Sequence, residues 1–207
     1  VFERALADLR RAGATVLDSL PIPELDSLRR SQRGGCPQFK YDLNRFLESL
    51  GDDGPPLRTL EAIIDSDRFH PSIQRRLEQE QRASAPPEEL PACRAREEFR
   101  VGLRLAVVKA LDAAQVDAVV YPTWSNPPRL IGDLNTPHGN NSPFFSPSTG
   151  FPAITVPMGV SRGVLPAGIT FFGRPWSEAT LIRLAFAYEQ ATHHRRPPVS
   201  TPPLASR

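Results

Sequence analysis

The 207-residue sequence is poor in lysine, in cysteine and in long apolar runs. Of its 25 basic residues only Lys40 and Lys109 are lysine, the arginines are scattered, and the net charge is +2. Phosphate binding needs clustered basic charge, so no nucleic-acid partner is expected. The two cysteines, Cys36 and Cys93, lie far apart and in no metal-ligand spacing, which predicts reduced thiols and a cytoplasmic protein. No apolar run approaches the ~20 residues of a membrane span, and the first residues carry no signal-peptide pattern, so no membrane partner is expected. Asn140-Asn141-Ser142 fits the glycosylation pattern, and without a secretory signal it reads as a chance match. There is no Gly-x-Ser-x-Gly elbow and no glycine-rich phosphate loop, which excludes an α/β-hydrolase site and a nucleotide site. His193-His194 has no carboxylate or cysteine at ligand spacing and reads as a C-terminal charge feature of a helix, so no metal is expected there.

What remains is an ordinary globular composition, 40% hydrophobic and 23% charged, in a chain long enough for one domain with a sizeable core. Phe2, Leu6 and Leu9 recur at helical spacing, Gly13 supplies a stop, and Ala14 to Leu17 reads as a strand. Val1 falls in mid-helix, which suggests that the natural chain begins earlier. Pro37 can open a helix carrying Phe39, Leu43, Phe46, Leu47 and Leu50, closed by Gly51. Ser72 to Ala83 reads as a thinly anchored surface helix. A long helix is predicted from about Arg94 to Ala114, with Phe99, Leu103, Ala106, Ala110, Leu111 and Ala114 on one stripe. Val116 to Tyr121 then reads as a buried strand of the parallel type, the second half of a βαβ unit.

Pro122 to Gly150 has six prolines, many Asn and Ser, and no periodic apolar pattern. Loops of that length without secondary structure are usually functional or disordered, and Trp124, Phe144 and Phe145 favour an ordered one. Leaving the C-terminal end of a parallel strand, it would lie where open α/β sheets place their ligands. Phe151 to Met158 and Leu165 to Phe172 are two apolar, β-branched runs around a Gly159, Ser161, Gly163 turn cluster. They read as a hairpin covered on both faces. The last helix starts with Ser177 as N-cap and Glu178, buries Leu181, Leu184, Ala185 and Tyr188, and ends at His193 to Arg196.

The stretch Gly150-Phe151-Pro152-Ala153-Ile154-Thr155-Val156-Pro157-Met158-Gly159, with Leu165-Pro166-Ala167-Gly168-Ile169, Gly173-Arg174-Pro175-Trp176-Ser177-Glu178-Ala179-Thr180-Leu181 and Tyr188-Glu189-Gln190-Ala191-Thr192, resembles the C-terminal part of the amidase signature family. Weaker matches at Leu20-Pro21, Phe39 to Leu47 and Arg58 to Ile64 extend the likeness over most of the chain. The resemblance implies an α/β fold, the C-terminal part of a mixed, twisted β-sheet with helices on both faces. Residues 1–198 would be that portion of a single amidase domain and 199–207 a disordered tail. It implies hydrolysis of a small-molecule or peptide amide to a carboxylate and ammonia or an amine, without a cofactor.

The family's Ser-Ser-Lys triad and oxyanion donors lie N-terminal to the matched region. This sequence has no Gly-Ser-Ser-Gly run, so no catalytic residue is assigned to it. The candidate substrate-binding residues are Trp124, Phe144 and Phe145 as apolar lining, with Thr123, Ser125 and Asn126 as polar contacts. Two alternatives stay open: a protein like the amidotransferase component that amidates glutamyl-tRNA, and a non-catalytic binding protein descended from an amidase.

Overall fold

The computed structural model describes residues 1–31, 35–133 and 135–197; the tail expected at 199–207 lies outside them. In chain order the elements are helices α1 (Phe2–Arg11), α2 (Leu25–Ser31), α3 (Phe39–Ser49), α4 (Leu60–Asp65), α5 (Gln74–Gln81) and α6 (Pro91–Ala113), strand β1 (Val119–Pro122), the one-turn helix α7 (Ser146–Thr149), strands β2 (Ala153–Ser161) and β3 (Leu165–Phe172), and helix α8 (Glu178–Thr192). Two compact units result, one of residues 1–23 and 103–207, the other of Glu24–Gly102.

The first unit is built on a three-stranded sheet in the order β1-β3-β2, with both pairings antiparallel. The α/β class is as expected, but β1 is not the parallel strand of a βαβ unit. A short apolar run reports burial without direction, and β1 finds its partner in β3, some fifty residues later. The strand expected at Ala14 to Leu17 is also absent, for that segment pairs with nothing in the sheet.

Alternation along the strands divides the sheet into two faces. One face sends Ile169 and Phe171 of β3 and Met158 of β2 against Leu181, Ala185 and Tyr188 of α8 and Ala5 and Leu9 of α1, all buried. Each such large side chain contributes about 1.5–3 kcal/mol by leaving water, so this layer is the anchor of the unit. The α8 stripe matches its sequence periodicity. Ser177 does not cap the helix with its side chain, because its hydroxyl donates to the Arg174 carbonyl at 2.7 Å. Where β2 bulges between Pro157 and Gly159, Gly159 takes φ 115°, which a side chain would oppose. The other face is only partly covered: Thr170 and Phe172 are buried, whereas Ala153 and Thr155 of β2 are exposed. The expectation that both strands are covered on both faces holds for the end of β3 and fails for β2, an edge strand.

The second unit has a thin interior. Among the described residues its buried apolar side chains are Leu47, Leu60, Leu77 and Phe99, and polar tethers do much of the rest. Asn44 Oδ1 accepts from the Leu60 amide at 2.8 Å, Thr59 Oγ1 caps α4 by accepting from Ala62 N at 3.0 Å, and Arg58 donates to the Leu47 carbonyl at 3.0 Å. Lys40 Nζ lies on the carbonyls of Gln81 and Ala83 at 3.4 and 3.5 Å. Cys36 and Cys93 form a disulfide across 57 positions of sequence. The reduced-thiol reading is therefore corrected. Distance in sequence gave no hint that the segment entering α3 returns beside the first turn of α6.

Candidate functional site

The predicted loop, Pro122 to Gly150, is an ordered excursion tied at its base. The Thr123 amide donates to the Gly168 carbonyl at 2.9 Å, continuing the β1–β3 pairing, and the Asn141 amide donates to the Thr123 carbonyl at 3.0 Å. Trp124 and Asn140 make an isolated bridge, and the Ser125 amide donates to Gly139 O at 2.8 Å. Asn141 Nδ2 reaches both the Pro122 carbonyl at 2.8 Å and Ser125 Oγ at 2.9 Å, so one side chain pins the two limbs. At the far limb, Thr149 Oγ1 donates to the Phe145 carbonyl at 2.8 Å and accepts from Phe151 N at 3.1 Å, while Arg104 Nε donates to the Thr149 carbonyl at 2.7 Å. Near the tip, the Asp133 carboxylate accepts from the amides of Asn135 and Thr136, both at 3.0 Å. Bonds to Thr136 and Asn135 hold its pKa down at about 2.

The six residues chosen from sequence do not form one group. Phe145 stacks on Phe172 at 5.3 Å between centroids, lies 5.8 Å from Tyr121, and meets Phe144 edge-on at 4.6 Å. These rings cover one end of the sheet face, so their position suits packing as well as lining. Trp124 is 48% exposed, with its ring edge to His138 at 5.8 Å. Asn126 Nδ2 donates to the Pro137 carbonyl at 2.9 Å, within the loop. Thr123 alone of the six points its hydroxyl onto the sheet, 2.7 Å from Thr170 Oγ1.

Around Thr123 lies a polar strip that sequence reading missed. Tyr121 of β1 and Thr155 of β2 each stand opposite Thr170 of β3 in the register, so all three share a face with Thr123, two positions beyond Tyr121. Thr170 Oγ1 is 2.9 Å from Thr155 Oγ1, giving a row of three hydroxyls that runs from β2 through β3 to the residue following β1. Gly168 makes the row possible: a Cβ there would sit 2.8 Å from Thr155 Cγ2 and 3.0 Å from Thr123 Oγ1. Tyr121 Oη is buried and has no hydrogen-bond partner among the described residues, and burial pushes its pKa up. The available signal was a single Thr in each of two otherwise apolar strands, Thr155 and Thr170, which the apolar average concealed. The ground for placing the loop at a ligand site, the end of a parallel strand, is removed by the antiparallel β1. This partly uncovered face with its row of hydroxyls replaces it.

Among the described residues no group of three or more His, Cys, Asp or Glu is placed to hold a metal ion. Two open concavities lie within the second unit, about 530 Å³ beside Arg94, Glu97 and Val101 and about 630 Å³ beside Asn44, Glu48 and Arg58, and neither includes a residue of the strip.

A sequence model of the amidase family matches residues 1–182. A probable amidase of Arabidopsis thaliana is 28% identical over 208 residues, covering 96% of this chain and 37% of that protein. The structure of a peptide amidase from Stenotrophomonas maltophilia superposes with a TM-score of 0.73 at 34% identity, covering 95% of this chain and 40% of that one. A glutamyl-tRNA(Gln) amidotransferase component of Desulforudis audaxviator is 48% identical over 54 residues, 26% of this chain and 11% of that protein. The chain thus spans about two fifths of the peptide amidase and 37% of the plant relative.

Proposed function

The chain belongs to the amidase signature family, and from that membership we propose that it is the C-terminal, substrate-facing portion of an enzyme hydrolysing carboxamide C–N bonds. The nucleophile, base and oxyanion donors, a Ser-Ser-Lys triad in this reading, would be supplied by sequence outside the 207 residues. The observation that carries the proposal is the family match over residues 1–182, supported by a fold that follows a peptide amidase over 95% of the chain. Peptide or small-molecule amides are the proposed substrates on the strength of that relative's name. The Thr123 strip and the adjacent loop with Trp124 and Ser125 form one wall of the pocket in this proposal. The mixture is what a small amide requires: hydroxyls and amides for its polar group, rings for its acyl part.

No helix among the described residues is long and apolar enough to cross a membrane. The cytoplasmic location expected from free thiols loses that ground once Cys36 and Cys93 are paired, and the pairing supports an oxidising compartment instead. The short stretch of high identity to an amidotransferase component supports a second reading, in which the ammonia released is passed on to an acceptor.

The test uses the complete gene product that contains this chain. Ammonia release from N-acetyl-leucinamide and propionamide supports the amidase reading. Turnover of glutamine only with partner proteins and glutamyl-tRNA supports the second. No amide turnover under either condition refutes both. Within an active enzyme, Trp124→Ala should change kcat/KM unequally between the two amides, equivalent to about 1–3 kcal/mol for a lost apolar subsite. A fall in melting temperature with an unchanged ratio would make Trp124 a packing residue.

A further inference from the structure

We propose that Thr170 is a positioning residue that sets the direction of the Thr123 hydroxyl toward the substrate amide, with Thr155 as its second hydrogen-bond partner. The proposal rests on the reading that Thr123 faces the substrate. Thr170 is 3% exposed and its Oγ1 lies 2.7 Å from Thr123 Oγ1 and 2.9 Å from Thr155 Oγ1. Each hydroxyl has one proton to give and two lone pairs to accept with. Two hydrogen bonds among three hydroxyls consume two of the three protons. With Thr170 in the middle, donating to one neighbour and accepting from the other, one end of the row keeps a free proton and the other end a free lone pair.

Two arrangements follow. If Thr155 donates to Thr170 and Thr170 to Thr123, the Thr123 proton is free to meet a carbonyl oxygen. If the row runs the other way, Thr123 spends its proton on Thr170 and offers a lone pair to an N–H. A carboxamide carries both groups, and the row reverses by rotation about three C–O bonds without moving a heavy atom. β-Branched side chains are stiff at χ1, so the oxygen stays in place while its polarity changes. Gly168 leaves room for the closeness of the row, since a Cβ there would sit 2.8 Å from Thr155 Cγ2 and 3.0 Å from Thr123 Oγ1. Tyr121 Oη, buried and without a hydrogen-bond partner among the described residues, belongs to a side chain on the same face, opposite Thr170. It adds one more hydrogen-bonding group, both donor and acceptor, to that face.

The experiment is steady-state kinetics of the full-length enzyme on N-acetyl-leucinamide and propionamide. Thr170→Val keeps the shape and deletes the hydroxyl. KM should rise about tenfold for both amides with kcat within about twofold, the pattern of a lost ground-state hydrogen bond. Thr170→Ser and Thr170→Ala differ only by the hydroxyl, so their KM values should also stand about tenfold apart even where Val does not fold. Thr155→Val, which leaves the Thr123–Thr170 pair intact, should change KM by less than about threefold. Equal KM for the Ser and Ala variants, while Thr123→Val raises KM, would overturn the positioning role and leave the wall in place. A Thr123→Val enzyme with unaltered kinetics would refute the wall itself, and the positioning role with it.

Discussion

Breaking the Cys36–Cys93 bond should unfold the second unit at much lower denaturant than the intact protein tolerates. The bond closes a loop of 57 residues. The chain-entropy relation for such a loop gives about 14 cal/mol/K removed from the unfolded ensemble, or about 4 kcal/mol at room temperature. Against this stand four buried apolar side chains in the unit, Leu47, Leu60, Leu77 and Phe99, at about 1.5–3 kcal/mol each before conformational entropy is subtracted. The staple is thus comparable with any two of the core side chains, and a 79-residue unit with so small an interior depends on it. The measurement is urea unfolding of the full-length protein, followed by circular dichroism, for wild type with and without reductant and for Cys36→Ser/Cys93→Ser. Reductant should lower the wild-type midpoint by the equivalent of about 2–4 kcal/mol and leave the double variant untouched. Coincident wild-type curves with and without reductant, in a sample whose free thiols titrate to zero before reduction, would refute the reasoning. The polar tethers of Asn44, Thr59 and Arg58 would then be holding the unit by themselves.

Three further outcomes are expected. Tyr188 Oη is buried without a hydrogen-bond partner among the described residues, and burial first, then the Asp8 carboxylate, pushes its pKa up to about 12. A raised folded pKa stabilises the protein fully below the ordinary value of 10.0 and loses that contribution as pH rises through about 12. Tyr188→Phe should therefore match or exceed wild-type stability at neutral pH and lead it by about 1 kcal/mol near pH 11, by thermal melts across that range; a neutral-pH loss above about 2 kcal/mol would mean that the hydroxyl is bonded. Gly168→Ala drives a Cβ to 2.8 Å from Thr155 Cγ2 and should cost about 1–3 kcal/mol in chemical denaturation. The isolated 207-residue chain should not turn over simple amides. Saturable activity abolished by Lys40→Ala or Lys109→Ala would contradict that, although Lys40 Nζ lies on two backbone carbonyls.

Much of the fold was legible in the sequence because it is local. The α8 stripe of Leu181, Ala185 and Tyr188 follows from 3.6-residue periodicity, and the Phe99, Leu103, Ala110 and Leu111 stripe of α6 likewise, with Val107 added by the structure. The β2–β3 hairpin followed from two apolar runs around a glycine turn, and the motifs around Gly150 to Thr192 carried the family. Only the tertiary structure decided the rest, which depends on partners distant in sequence. Apolar content pointed to a strand at Val116 to Tyr121, found at Val119–Pro122, but its antiparallel direction is set by hydrogen bonding to Ile169 through Phe172. The cysteine pair is joined because α3 and α6 bring Cys36 and Cys93 together across 57 positions. The candidate site behaves the same way: Thr123 was legible as a polar residue after a strand, whereas its alignment with Thr170 and Thr155 exists only once the register of three strands is fixed. Side-chain alternation is a property of one strand, but a row of hydroxyls across a sheet is a property of how strands are paired.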